Sequence, residues 1–274
     1  MARVRYVLVY PYSGFRDRLW DADQQPDGYG RDPDIDAVAR TSRRVCEVYS
    51  RGLAELGLEG NHGEVRVFIH RSHREDEVVP VITYLTWTEG FEMAHVGVPV
   101  GTATWSEQRR ARMLLESFHA VMTRFGQARG WSVPALVRLR DSCLDTSVDF
   151  AWRSAWKSSP DRRTEACVDA WLHDDGFTRV RILVRDRTSG EIAGSSEVVE
   201  GPVAEVALER QSTTLRWRDR GTAELTLSTF LGNRTPVPLV ASVPRLHPVT
   251  PWPERAPVRT EPAPELSVDP PRSG

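Results

Sequence analysis

The sequence contains very little lysine and asparagine. Lys157 is the one lysine among 36 basic residues, and asparagine occurs only at Asn61 and Asn233. A preference for arginine, with abundant alanine, glycine and proline, is typical of a GC-rich, actinobacterial-like genome. The abundance of arginine is therefore weak evidence for nucleic-acid binding. The 38 acidic residues leave a net charge of −2, which argues against a strongly basic protein.

Cysteine and long apolar runs are also scarce. The three cysteines, Cys46, Cys143 and Cys167, are odd in number and far apart, which argues against a disulfide framework or a zinc knuckle and predicts buried, reduced thiols. No run approaches the ~18 apolar residues of a membrane helix. The apolar residues before Pro11 are too few for the core of a signal peptide. We therefore expect a cytoplasmic protein without a membrane partner.

The motifs that mark common active sites are missing: a phosphate loop, GxSxG, HExxH and CxxC. The sequence therefore predicts no cofactor and no metal, leaves the catalytic residues unknown, and favours a protein that is not an enzyme. Imidazole and carboxylate groups that could bind Zn²⁺ or Mn²⁺ cluster in one short segment, although a solvated charged turn is the favoured interpretation. The cluster comprises His70, His73, Glu75, Asp76 and Glu77.

A histidine and a cysteine could also form a nucleophilic pair. His119 lies at the shoulder of a predicted helix and could act as a base if a carboxylate faced it. Cys46 and Cys143 are the cysteines that could accompany it, but both fall on apolar helix faces. This placement favours packing over catalysis.

The clearest pattern in the chain is a long central helix over residues 105–130. Its apolar residues recur at helical spacing along one face, which is typical of a helix packed on a sheet. They are Ala111, Leu114, Leu115, Phe118, Val121, Met122 and Phe125. Thr104 and Glu107 form a capping-box pattern at its start, and Gly130 supplies a C-terminal stop.

Strands and helices are predicted on both sides of this helix. Before it the patterns predict strands at 3–10, 64–70, 78–88 and 94–104 and a helix at 35–56 that Asp34 caps, with a long aromatic connection over 11–34. After it Pro134 begins a helix that reaches Leu144. From Val148 onward the period is two, which predicts an antiparallel meander that includes residues 204–211 as a strand.

Together these patterns predict an α+β protein. An antiparallel or mixed sheet packed by the central helix occupies residues 1–145, and a β-meander half occupies residues 146–233. A proline-rich tail that is extended or disordered occupies residues 234–274.

Two features of the second half predict binding rather than catalysis. Trp152 and Trp156 come before a basic turn, and tryptophan beside basic residues suits a protein or an anionic partner. Arginine also recurs at even spacing along one strand, at Arg179, Arg181, Arg185 and Arg187, and this stripe could follow a phosphate backbone. The predicted binding residues are Trp156, Lys157, Arg162, Arg163, Arg181 and Arg185. Core tryptophans beside a solvated loop are the favoured interpretation of the first feature, and Asp186, Glu191 and Glu197 could equally neutralise the stripe.

Three classes of function fit these features. The favoured one is a non-catalytic, cytoplasmic protein that binds another protein, as immunity or accessory components of bacterial conflict and defence systems do. The second is a hydrolase of an unfamiliar family that uses His70, His73 and Glu75, or His119. The third is a nucleic-acid-binding protein that uses the arginine stripe.

Overall fold

The computed structural model describes residues 2–11, 32–60, 62–71, 80–81, 92–201, 204–227 and 237–261. It confirms the predicted α+β class. None of the helices among these residues is long and apolar enough to cross a membrane. The chain forms two compact units: unit 1 contains residues 1–148 and 255–274, and unit 2 contains residues 149–254. The predicted first boundary, 145/146, lies three residues before the point where the chain enters unit 2.

Unit 1 is built on a small mixed sheet with helices. Its elements in chain order are β1 (Ala2–Arg3), β2 (Tyr6–Pro11), α1 (Pro33–Leu56), β3 (Glu59–Gly60), β4 (Glu64–Arg71), β5 (Pro80–Val81), β6 (Glu92–Val98), α2 (Glu107–Arg129) and α3 (Val133–Asp145). Strands β2, β4 and β6 pair in parallel, and β5 pairs antiparallel with β6. Strands β1 and β3 form a separate antiparallel pair. The predicted strand over 78–88 is described only at β5.

Helix α2 is the predicted central helix, and its apolar stripe is confirmed. All seven stripe residues are at most 1% exposed. The predicted N-cap, Thr104, is wrong: Ser106 caps the helix by accepting a hydrogen bond from Arg109 N at 3.1 Å. Residues 102–104 instead form a 3₁₀ turn before the helix. Gly130 ends the helix in the left-handed conformation, as predicted (φ 71°).

Helix α1 begins two residues earlier than the pattern indicates. Asp32 is its N-cap and accepts from Asp34 N and Ile35 N, while Pro33 occupies the first turn. The predicted cap, Asp34, is 4% exposed and accepts from Gly101 N at 2.9 Å and Ala103 N at 2.7 Å. Its carboxylate therefore joins the start of α1 to the segment that precedes α2.

Residues 255–261 return from unit 2 and pack into unit 1. Val258 is fully buried in the core, and its N–H donates to Thr146 O at 2.9 Å. Arg112 Nη1 donates to the carbonyls of Arg259 at 2.8 Å and Glu261 at 2.6 Å. We call this segment the return strap. It differs from the extended or disordered tail assigned to these residues, because one buried valine and satisfied carbonyls fix it to α2 and α3.

The described residues of unit 2 form two antiparallel sheets and a short helix. Its elements are β7 (Ala151–Arg153), β8 (Lys157–Ser158), β9 (Thr164–Leu172), β10 (Thr178–Asp186), β11 (Ile192–Ser195), β12 (Val199–Gly201), α4 (Glu205–Ser212), β13 (Arg216–Trp217), β14 (Thr222–Leu227) and β15 (Val237–Ser242). The larger sheet has β9 and β10 at its centre, and the smaller sheet has the order β13-β14-β15.

The secondary structure of two segments in this unit differs from the prediction. Residues 205–212 form helix α4 rather than a strand, because most of this segment is glutamate, alanine, leucine, arginine and glutamine, which are strong helix formers. Residues 237–242 form β15 rather than part of the tail, because they pair with β14 over six residues and bury Leu239 and Ala241. Proline is tolerated at Pro238 because β15 is an edge strand.

Candidate functional site

The β9–β10 hairpin of unit 2 has two chemically different faces. Trp171 pairs with Arg179, Asp169 with Arg181, Cys167 with Leu183 and Glu165 with Arg185, so these residues share one face. The intervening residues are apolar and buried: Ala166, Val168, Ala170, Val180, Ile182 and Val184. The first face carries tryptophan, arginine and carboxylate together, and we call it the Trp/Arg face.

Asp169 is the centre of one half of the Trp/Arg face. It is 3% exposed and accepts from Arg153 Nε at 3.0 Å and Nη2 at 2.9 Å, and from Arg181 Nε at 2.9 Å. Trp252 Nε1 also donates to it at 3.0 Å. The indole of Trp252 lies over Arg181, whose Cζ is 3.9 Å from the ring centroid. The buried charge is thus paired and fully hydrogen-bonded, as burial of a carboxylate requires.

Glu165 is the centre of the other half. Arg185 donates to it from Nε at 3.0 Å and Nη2 at 2.7 Å, and Ser158 Oγ donates at 3.1 Å. These hydrogen bonds, the Arg185 pair first, lower the pKa of Glu165. Trp156 covers Arg185, whose Cζ is 4.1 Å from the ring centroid. Each half of the face therefore repeats one unit: a carboxylate, an arginine and a tryptophan stacked on that arginine.

A cleft opens beside the Asp169 half. Its volume is about 530 Å³, and its lining is mainly apolar. Trp171 and Trp252 lie nearly parallel in it, with ring centroids 6.2 Å apart. Further lining residues are His173, Arg179, Arg181, Ser195, Ser196, Glu197, Val198, His247, Pro248, Thr250, Pro251 and Pro253. An apolar pocket with a few polar groups at its edge is the usual form of a ligand site.

Gly194 allows one wall of this cleft to form. Its φ is 156°, and a Cβ at this position would lie 2.6 Å from Leu246 Cβ and 2.9 Å from His247 O. The backbone of Ser195 exchanges two hydrogen bonds with His247, each 2.9 Å long. Residues 246–247 can therefore lie directly against β11 only because position 194 has no side chain.

Three of the predicted binding residues reach the Trp/Arg face: Trp156, Arg181 and Arg185. Arg162 and Arg163 are exposed on the turn between β8 and β9, where Arg162 adopts a left-handed conformation (φ 59°). Lys157 serves a different purpose. Its Nζ donates to the carbonyls of Ser212, Thr213 and Leu215 at 3.3, 3.1 and 2.9 Å, so it caps the C-terminal end of α4.

The predicted arginine stripe is not an exposed basic surface. Arg181 is 4% exposed, and its charge is paired with Asp169. Arg185 and Arg187 both lie within 4 Å of Glu165, and Arg179 pairs with Asp175 and lies 3.9 Å from Glu200. The expectation of an outward stripe is correct for Arg187, whose side chain is 46% exposed, and wrong for Arg181, because residues 247–253 return over it.

The metal-binding and catalytic candidates named from the sequence lie only partly within the described residues. No group of three or more histidine, cysteine or acidic residues in this part of the chain could hold a metal. His70 lies on β4 with its ring centroid 6.0 Å from that of His95, while His73, Glu75, Asp76 and Glu77 lie outside the described residues. The pKa of His119 is lowered mainly by burial and, to a smaller extent, by the positive charge of Arg140.

The three cysteines are buried, as predicted. Burial raises the pKa of Cys143 to about 11 and that of Cys167 to about 12, and it raises the pKa of Cys46 further. A thiolate is the nucleophilic form, so at neutral pH these groups remain unreactive thiols.

Sequence patterns did not identify Asp169, Glu165 or Trp252 as parts of the site. The two acids alternate with apolar residues along β9, two and six positions from Trp171, and this spacing could have placed them opposite the arginines of β10. Trp252 lies 83 residues from Asp169, and its position depends on the path of residues 247–253. No local pattern could have found it.

No protein-family model, no curated protein and no solved structure matches the chain.

Proposed function

We propose that this protein is a non-catalytic binding protein that recognises a protein partner with the Trp/Arg face of unit 2. The observation that carries the proposal is the repeated stacking of a tryptophan on an arginine, Trp156 on Arg185 and Trp252 on Arg181. Tryptophan and arginine are the residues most enriched in binding hot spots, because a flat apolar surface and a fixed set of donors combine at one place.

Charge balance favours a protein partner over nucleic acid. The arginines of this face are paired with carboxylates within the same unit, so a phosphate backbone would have to displace those carboxylates or be repelled by them. A protein interface instead uses pre-positioned arginines with an apolar centre and a polar rim. Within this proposal the partner is cytoplasmic, and the role is that of an immunity or accessory component of a bacterial conflict or defence system.

Affinity purification of the tagged full chain from its native host tests the proposal, at low and moderate salt and with nuclease. We expect one stoichiometric protein that survives both treatments. The variant Trp156→Ala should lose it. Trp105→Ala is the matched control, since Arg109 stacks on Trp105 at the same 4.1 Å in unit 1, and it should retain the partner.

Two results would contradict the proposal. The first is recovery of the chain with nothing bound. The second is a partner that the Trp156→Ala and Trp105→Ala variants retain equally. Nucleic acid that is lost at moderate salt would instead support the nucleic-acid alternative.

A further inference from the structure

We infer that the cleft beside Asp169 binds a carboxylate side chain of the partner, presented on a short apolar peptide segment. This inference rests on the proposed function, because it assigns the chemistry of the partner at the same face. The first observation is the state of Arg181. Its Nε donates to Asp169 and its Nη1 donates to Thr250 O at 2.7 Å. Among the described residues, its Nη2 has no hydrogen-bond partner.

A buried arginine with a spare donor is an anion-binding group. Arg181 is 4% exposed and lines the cleft, so the exposed remainder of its guanidinium is available to a ligand there. The stacked Trp252 and the bonds to Asp169 and Thr250 O hold the guanidinium in one orientation, which reduces the entropy that binding would cost. A carboxylate matches the geometry of guanidinium donors.

The polar part of the lining contains further nitrogen donors for an acidic ligand. Arg179 and the imidazoles of His173 and His247 line the cleft, whereas Glu197 is the one carboxylate among the described residues that line it. Because most of the lining is apolar, the part of the ligand that carries the carboxylate should be apolar as well. Trp252, Val198 and the three prolines supply this apolar lining, and Val198 is 48% exposed.

A peptide is favoured over a small molecule because the cleft is continuous with the Trp/Arg face. Trp171, Arg179 and Arg181 belong to both. A protein that covered Trp156 and Arg185 would extend along β10 toward the cleft. The volume of about 530 Å³ is in the range of pockets that hold small ligands, and is enough for a few side chains rather than one.

NMR titration of the ¹⁵N-labelled full chain tests the inference. The probes are the peptides acetyl-Leu-Glu-Leu-amide and acetyl-Leu-Gln-Leu-amide, and the reporter is the indole N–H signal of Trp252, assigned with Trp252→Phe. We expect the glutamate peptide to shift this signal and to bind at least about fivefold more tightly than the glutamine peptide, because only the former offers a charged acceptor to Arg181. Equal binding of the two peptides, or no binding, would overturn the inference.

Two variants locate the binding. Val198→Glu places a carboxylate at the rim of the cleft, on a side chain that is already exposed, and should weaken binding of the glutamate peptide at least about fivefold. Val206→Glu is the control, since Val206 is similarly exposed (44%) on α4 and does not line the cleft. It should leave binding unchanged. Equal effects of the two variants would contradict the placement.

The source of the carboxylate and the proposed function are tested separately. Hexanoate, a small carboxylate with an apolar chain, should bind more weakly than the glutamate peptide, and equal or tighter binding would overturn the assignment to a peptide. If the peptides fail to bind while Trp156→Ala still abolishes partner capture, this inference fails and the proposed function stands. If the peptides bind but no partner is captured, the proposed function fails, and the binding of a carboxylate in the cleft stands.

Discussion

At the scale of single residues, buried arginines in both units are held by carboxylates. In unit 1 Glu107 lies 2.6 Å from Arg44 and 3.6 Å from Arg255, and the two arginine side chains are 1% and 4% exposed. In unit 2 Asp169 holds Arg181 in the same way. Removing one member of such a group leaves an uncompensated buried charge, which costs far more than the intact pair contributes.

Glu107→Gln should therefore destabilise the protein by about 3 kcal/mol. Glu116→Gln is the control, because Glu116 lies 3.6 Å from an arginine whose side chain is 28% exposed, and loss of such a pair costs under about 1 kcal/mol. Urea denaturation of the two variants and the parent measures the difference. Equal losses would show that burial of Arg44 and Arg255 adds nothing to the role of Glu107.

Acid should weaken unit 2 through Glu165. The pKa of this carboxyl is lower in the folded protein than its ordinary value of 4.5. The ionised Glu165 carboxylate therefore contributes its full stabilisation above pH 4.5. This stabilisation is lost as the pH falls through the pKa that the group has in the folded protein. The melting temperature of Glu165→Gln should depend less on pH below 4.5 than that of the parent. Glu191→Gln, on an exposed turn, should follow the parent, and a parent-like profile for Glu165→Gln would contradict the account.

Lys157 illustrates a residue whose role changes once its contacts are known. Lys157→Met should destabilise the protein by about 1–2 kcal/mol, because three carbonyls at the end of α4 lose their donor. It should leave partner capture intact. Arg210→Met, exposed on the same helix, should change stability by under about 0.5 kcal/mol. Denaturation and affinity purification of both variants measure this, and loss of the partner by Lys157→Met would return Lys157 to the binding site.

At the scale of elements, the return strap completes unit 1. Val258→Ala should destabilise the protein by about 2 kcal/mol, because two methyl groups are lost from a fully buried side chain and a cavity remains. Thr260 is exposed in the 3₁₀ turn Val258–Thr260, which also contains the buried valine. Thr260→Ala is therefore the control, and it should change stability by under about 0.5 kcal/mol. Denaturation curves of the two variants and the parent measure these changes. A Val258→Ala variant that is as stable as the parent would mean that the strap does not support the core.

Sequence periodicity predicted the elements with the most regular residue patterns. The stripe of α2, the alternation of β9 and β10, and a helix that begins near Pro134 all followed from spacing and from the position of this proline. It failed where distant segments decide the structure. The strap depends on Val258 meeting Thr146, and β15 forms because residues assigned to the tail pair with β14.

The candidate site was predictable to a similar extent. Trp156, Arg181 and Arg185 were selected from composition and spacing, and all three lie on the Trp/Arg face. Their charge state was not predictable, because Asp169, Glu165 and Trp252 reach the arginines through strand pairing and a long-range chain reversal. A stripe that looked basic in sequence is therefore nearly neutral in the folded unit.

At the scale of the whole molecule, unit 2 is inserted into the sequence of unit 1. The chain leaves unit 1 at Val148 and re-enters it at Arg255. Within unit 1 the leaving and returning segments are fixed to each other by the Val258 N–H and Thr146 O bond, and Arg259 pairs with Asp145 at 2.6 Å. The predicted binding residues all belong to unit 2, so the proposed partner recognition belongs to the inserted unit.

Hydroxyl-radical footprinting of the purified complex and of the free chain tests this assignment most directly, because it reports the solvent exposure of each tryptophan. In the complex, oxidation of Trp156 and Trp252 should fall at least about threefold, as expected for side chains at the centre of an interface. Oxidation of Trp105 and Trp131 in unit 1 should stay unchanged. Protection confined to the unit 1 tryptophans, with Trp156 and Trp252 oxidised as in the free chain, would contradict the central claim that the Trp/Arg face binds the partner.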